Sequence, residues 1–212
     1  MSPGFEKAFD NKTCMKSALL LTILLLAASF VSAQKPAPKP LIEGNAASSV
    51  RVLIYEDLQC PDCADFRKML DAELLPRFKG SVAFEHRDFP LAKHAWARPA
   101  AVASRYFEGI SPALAVEFRV ATMASQPAIT PETFNAYLTS FANAHKVDSV
   151  KVLAALTDPS LNARVEADYQ DGVARGVAKT PTVLVNGEPF VETFAAADII
   201  KSLEREVAAA KK

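Results

Sequence analysis

Two cysteines three residues apart, in Cys60-Pro61-Asp62-Cys63, stand between the apolar run Val50–Tyr55 and a stretch of helical periodicity. This pair constrains the fold more than any other feature of the chain. Residues i and i+3 lie on one side of a helical turn, and their Cα separation there falls in the roughly 4.4–6.8 Å window that a disulfide requires. A helix start also offers free N–H groups and the positive end of the helix dipole, both of which favour a thiolate. The chain must therefore end a buried strand where a helix begins, with a dithiol at the junction. A disulfide closing so short a loop removes little chain entropy, so the spacing favours redox chemistry over stapling.

The flanking sequence builds outward from that junction. Arg51-Val52-Leu53-Ile54-Tyr55 is β-branched and apolar, as a buried strand is. From Cys60 to about Phe78 the pattern is helical: Cys63, Phe66, Leu70 and Leu74 step by three or four and share one face. This puts Cys63 on the buried side and Cys60 at the exposed start. Lys79-Gly80 ends the helix, and Ser81–Asp88 reads as a second strand, giving a βαβ unit with a parallel pair. Residues 91–176 contain no strand-like alternation and read as an all-helical block of four or five helices. Ser111-Pro112, Thr130-Pro131, Asp148 and Asp158-Pro159 are its candidate helix starts. Alternation returns at Thr182–Val185, Asn186-Gly187 signals a two-residue hairpin, and 195–210 closes the chain with a helix whose buried stripe is Ile199, Ile200, Leu203 and Val207. The expected class is α/β, in the order βαβ, inserted helical block, ββα. Residues 48–90 and 177–212 form one domain, and 91–176 form the insertion.

Ahead of the domain, Ala18–Phe30 is an apolar run of 13 residues followed by Val31-Ser32-Ala33, the pattern of an export signal cleaved after Ala33. It is shorter than the roughly 20 residues a membrane-spanning helix needs. Residues 1–14 are an unusual preface, which makes Met15 an alternative start. Residues 34–47 read as a linker, with three prolines and two lysines in Gln34–Pro40. Removing residues 1–33 takes Cys14 and leaves the remainder one unit negative. No basic field is present to hold nucleic acid. The expected location is extracytoplasmic, in a periplasm or its equivalent, and a monomer is expected.

The chemistry rests on few residues. Cys60, at the helix mouth, is the expected nucleophile, since the thiolate attacks a disulfide; Cys63, one turn deeper, is the expected resolving thiol. Pro61 lacks an N–H, which is harmless in a first helical turn. A helix end contributes about 0.3–1 kcal/mol, at most about 2, hence at most about 1.5 pKa units. Asp62, about 6 Å away, would oppose the thiolate by roughly 1 kcal/mol at a wet surface. A lowered but not extreme thiol pKa follows. Thr180-Pro181-Thr182 precedes a strand, where proline is tolerated; cis bonds are nearly confined to X–Pro. The tripeptide alone leaves an ordinary strand-entry proline open. Together with the upstream dithiol unit and the downstream hairpin it points to a cis bond. His86, His94 and His145 are not at ligand spacing for zinc and read as surface or helix-face residues, so no metal and no cofactor are expected. Phe107, Phe118, Phe134 and Phe141 read as core, and Glu166 and Asp168 as solvated charges.

Three segments carry a resemblance: Glu56-Asp57-Leu58-Gln59-Cys60-Pro61-Asp62-Cys63, Glu85–Leu91, and Gly176–Gly187 with Thr180-Pro181-Thr182 at its centre. They resemble the DsbA-like thiol-disulfide oxidoreductases of the thioredoxin superfamily, over about residues 48–210. The resemblance implies a thioredoxin fold with a helical insertion. It implies that Cys60 attacks, Cys63 resolves, and a cis Thr180–Pro181 packs beside the disulfide to dock an extended substrate. It also implies that the disulfide passes to exported proteins and is restored by a membrane quinone-linked thiol oxidase. One position departs. Many relatives carry a buried acid six residues before the first cysteine, where this chain has Ile54. Glu56 and Asp57 are the candidates for the proton route in its place, against the plainer reading of both as loop carboxylates. The alternatives to a disulfide donor are a reductase or isomerase, a non-catalytic peptide-binding module of the same fold, and a metallochaperone.

Overall fold

The computed structural model describes residues 40–211; the expected export signal and the first part of the linker lie outside them. The described chain runs β1 (Leu41–Gly44), β2 (Arg51–Glu56), α1 (Pro61–Met69), a π-helical turn (Leu70–Leu74), α2 (Leu75–Phe78) and β3 (Ala83–Asp88). It continues through α3 (Ala97–Ile110), α4 (Pro112–Ala124), a short 3₁₀ turn (Gln126–Ala128), α5 (Phe134–Ala144), α6 (Ser149–Ala155) and α7 (Pro159–Ala174). It closes with β4 (Thr182–Val185), β5 (Glu188–Val191) and α8 (Ala196–Ala209). The strands form one sheet in the order β1-β3-β2-β4-β5. β2 and β3 are parallel, with Ile54 opposite His86 and Glu56 opposite Asp88; β1 and β4 add antiparallel on either side. The βαβ, helical block, ββα order read from the sequence is the order found.

Local chemistry explains most boundaries. The Ser111 hydroxyl accepts from the Leu114 N–H, and Asp148 and Asp158 cap α6 and α7 in the same way. The Asn186-Gly187 turn has positive φ at both residues, 46° and 98°, the type I′ geometry that suits the strand twist. Gly176, at φ 78°, ends α7 in a Schellman motif: its N–H bonds the Val173 carbonyl, and the Val177 N–H bonds that of Gly172.

Several expectations are corrected. Within the expected linker 34–47, Leu41–Gly44 is a sheet strand, and Leu41 is buried. The expected single helix from Cys60 to Phe78 is interrupted by the π turn, where the Leu75 N–H reaches back to the Leu70 carbonyl. Pro76 follows directly; it has no N–H for the α-helical ladder and its ring crowds the carbonyl four residues back, so one wider turn accommodates it. The helix expected at Thr130-Pro131 starts only at Phe134. The stripe from Cys63 to Leu74 also divides. Phe66, Leu70 and Leu74 pack with Ile54, Phe84, Val183, Ile199 and Leu203 on one sheet face. Cys60 and Cys63 instead join Trp96, Phe107, Phe118, Phe134 and Phe141, the core of the helical block.

Candidate active site

The dithiol sits where β2 gives way to α1. Cys60 is the N-cap, with extended backbone, and its carbonyl accepts from the Ala64 N–H at 3.2 Å. Cys63 is fully buried, and Cys60 retains 5% of its surface. The exposure expected for Cys60 is therefore corrected: the loop before β4 and the helical block pack against it, and it keeps only a small exposed surface where Cys63 keeps none. From that loop, the Thr180 carbonyl stands 3.3 Å from Cys60 Sγ, and the Thr180–Pro181 peptide is cis. The Thr180 hydroxyl is buried and has no partner among the described residues, which leaves it available to the sulfur.

These surroundings split the two thiols. Cys60 is drawn from 9.0 down to about 6, first by a hydrogen bond from the Cys63 thiol, then, against the opposing effect of burial, by Thr180 and by the backbone N–H groups of Cys63 and Asp62. Cys63 is pushed well above 9.0, first by burial and then by Cys60. The outer sulfur thus holds negative charge and the inner one holds the proton it donates.

Glu56 and Asp57, the carboxylates singled out for the proton route, are both buried. Burial alone would raise the Glu56 carboxyl; Arg119 and then His86 overcome it and hold the group ionised. Its charge in turn helps keep the Cys63 proton in place. Asp57 is engaged by three donors: the Gln59 N–H at 2.7 Å on one oxygen, and the Leu91 N–H at 2.8 Å and His94 Nδ1 at 2.7 Å on the other. Its backbone N–H, not its carboxylate, faces Cys63 Sγ at 3.4 Å. Ile54 is packed in the apolar core, and Glu56, two residues on, lies on the same face of β2.

Behind the site lies a buried ionic network that the sequence reading missed. His86, expected at a surface, is 1% exposed. Its Nδ1 lies 2.6 Å from Glu56 Oε1 and its Nε2 2.9 Å from Glu43 Oε1. Two carboxylates, one on each ring nitrogen, require both nitrogens to donate, which only the imidazolium can do. Arg119 from α4 donates to Glu56 at 3.0 Å and to Asp88 at 2.8 Å. Arg105 from α3 donates to Asp88 at 2.5 Å and also to Asp168. Asp168, expected to be solvated, is therefore buried as well, held by two guanidinium groups, those of Arg87 and Arg105. A visible signal existed: Arg119 lies between Ala115, Phe118 and Thr122 on a core-facing helix surface, where an unpaired charge would not be tolerated. The Gln126 amide, also unanticipated, donates to the Leu58 carbonyl at 2.8 Å and to the Cys60 carbonyl at 3.0 Å, tying the helical block to the dithiol loop.

A protein-family profile described as Thioredoxin matches residues 37–205. No curated relative matches the chain. Among solved structures, α-DsbA1 of Wolbachia pipientis aligns with a TM-score of 0.71 at 15% identity, over 84% of this chain and 95% of that one. BdbD of Bacillus subtilis aligns at 0.68 and 22% identity, over 80% and 93%. MdbA, a thiol-disulfide oxidoreductase from Corynebacterium diphtheriae, aligns at 0.61 and 16% identity, over 75% and 85%. At these identities the likeness is one of fold.

Proposed function

The chain belongs to the thioredoxin family, and from that premise we propose that it is an exported thiol-disulfide oxidoreductase that donates the Cys60–Cys63 disulfide to substrate proteins. The observation that carries this reading is the split between the two sulfurs: an outer one that is stable as a thiolate beside the Thr180–Pro181 loop, and an inner one that stays protonated. In the reaction, a substrate thiolate attacks Cys60 Sγ. The Cys60–Cys63 bond breaks, and Cys63 leaves with the electron pair and takes a proton. A second substrate thiolate then attacks the substrate sulfur of the mixed disulfide. Cys60 leaves as a thiolate, the substrate is oxidised and the enzyme is reduced. A membrane quinone-linked thiol oxidase then removes the two electrons. Export rests on the apolar run and small-residue site within 18–33.

Cys60 as a stabilised leaving group favours donation of the disulfide. At pH 7 a thiol at about 6 rather than 9.0 stabilises the reduced enzyme by roughly 1.4 kcal/mol. That makes the couple about 30 mV more oxidising. Glu56, ionised and anchored, acts on Cys63 through its charge. Oxidative refolding of reduced ribonuclease by the purified chain tests the proposal, with a glutathione redox titration alongside. Refolding lost in Cys60→Ala supports it. Refolding that survives Cys60→Ala supports a peptide-binding module with idle cysteines, and a strongly reducing potential supports a reductase.

A further inference from the structure

A cavity of about 300 Å³ opens beside the Cys60–Pro61 peptide, on the helical-block side. It is lined by Gln59, Pro61, Trp96, Gln126, Pro127 and Ile129, with no charged side chain among them. Pro61 and Pro127 are exposed at its rim, while Trp96 and Ile129 are buried, so its inner wall is apolar and fixed. Trp96 stacks on Phe134 with ring centroids 5.8 Å apart, and Gln126 is held by two carbonyls of the dithiol loop.

The two glutamines are oriented by their partners. Both carbonyls bonded to Gln126 accept, so its nitrogen points inward and its amide oxygen has no partner among the described residues. Gln59 Oε1 accepts the Trp96 N–H at 2.8 Å, and the Gln59 amide nitrogen, a two-proton donor, has no partner among the described residues. An apolar recess flanked by one open acceptor and one open donor matches a single residue of an extended peptide. Such a residue presents an apolar side chain together with one backbone N–H and one backbone C=O.

We propose that this cavity is a specificity subsite that takes the apolar side chain of the substrate residue next to the attacked cysteine. The inference rests on the oxidoreductase reading and names the substrates that reading favours: exported chains whose reactive cysteine is flanked by Leu, Ile, Met or Phe. The cavity is lined by the two residues that flank Cys60 along the chain, Gln59 and Pro61, so the residues beside a substrate sulfur joined to Cys60 come within reach of it. With the two amides taken by the substrate backbone, the apolar remainder of the lining gives a polar or charged side chain little in exchange for its water.

The test compares rates of oxidation by the disulfide form of the chain. The substrates are dithiol peptides that carry leucine or glycine immediately before or after the reactive cysteine. Burial of the leucine side chain speeds one flank about tenfold over its glycine counterpart. Pro127→Glu and Ile129→Asn each bring that ratio toward one; because the ratio is internal to each variant, partial loss of folded protein cancels. A measurement needing no variant uses Trp96, the one tryptophan of the chain. Its emission shifts with the leucine peptide carrying serine for the reactive cysteine, and not with the glycine peptide. Equal rates for leucine and glycine at both flanks, a ratio that survives both substitutions, or an unmoved Trp96 emission overturns the subsite while the oxidoreductase reading stands. If no peptide is oxidised in a Cys60-dependent way, the reading falls and the subsite falls with it.

Discussion

Replacing Cys63 separates the two sources of Cys60 acidity. The hydrogen bond from the Cys63 thiol is the largest influence drawing Cys60 down to about 6; the backbone N–H groups of Cys63 and Asp62 contribute less. A hydrogen bond to a charged group contributes about 1.5–3 kcal/mol, which is about 1–2 pKa units. Cys63→Ala removes that donor and keeps the helix start, so the Cys60 midpoint rises to about 7–8. Cys63→Ser keeps a hydroxyl donor at the same place and holds the midpoint near the value of the reduced parent. The readout is the midpoint of thiolate absorbance against pH. Alkylation rates are a poorer measure, because intrinsic nucleophilicity rises with pKa and partly offsets the loss of thiolate. Equal midpoints in the alanine and serine variants would refute the reasoning and return the effect to the helix terminus.

Gln126→Leu leaves the Leu58 and Cys60 carbonyls without their side-chain donor. Stability should fall by about 1–3 kcal/mol, seen as a Tm lower by roughly 3–10 °C. Glu43, whose carboxyl burial would raise, is held down at about 2 by His86 and Arg67. Its folded pKa lies below the unfolded one, so its contribution is present above pH 4.5 and is lost as pH falls toward 2. Urea midpoints should drop across that window, by on the order of 3 kcal/mol from this group, and Glu43→Gln should flatten the drop. His86, which burial would lower, is raised by Glu56 and Glu43, so its contribution is complete below 6.5 and disappears only as pH climbs through the folded value. Nitrogen-15 spectra at pH 7.5 should show protons on both of its ring nitrogens. Arg119→Met leaves Glu56 with His86 and Asp88 with Arg105 as their remaining charged partners and should cost about 3–5 kcal/mol by urea denaturation; adding Glu56→Gln and Asp88→Asn should recover part of it.

The parts of this fold that were legible are those whose cause is local. A strand ending at a cysteine pair, capping serines and aspartates, and an Asn-Gly turn each set their own backbone geometry within a few residues. β1 escaped because Leu41–Gly44 pairs on one side only and has four residues, too few for an alternation to register. The π turn escaped because the apolar spacing runs straight through it; only Pro76 marks the disturbance. The ionic network escaped for a deeper reason. Whether Glu56, His86 or Asp168 meets water or a charged partner is decided by segments 30 to 80 residues away; the apolar neighbours of Arg119 signal a buried charge but not which carboxylates meet it.

The place of the network suggests why charge is tolerated there. Glu56 and Asp88 are the last residues of the parallel pair β2 and β3 and are opposite one another in register. Arg119 grips both from α4, and Arg105 grips Asp88 from α3. Elsewhere the core around the dithiol and the helical block is apolar, and apolar surfaces permit small slides and rotations. Planar guanidinium–carboxylate pairs fix both distance and angle. A buried ion pair adds little net stability over well-packed apolar residues, so its contribution here is one of position. Cys60 follows Glu56 by four residues. Pinning the end of β2 to α4 therefore sets where Cys60 stands relative to Trp96, Gln126 and Ile129, which line the cavity beside it.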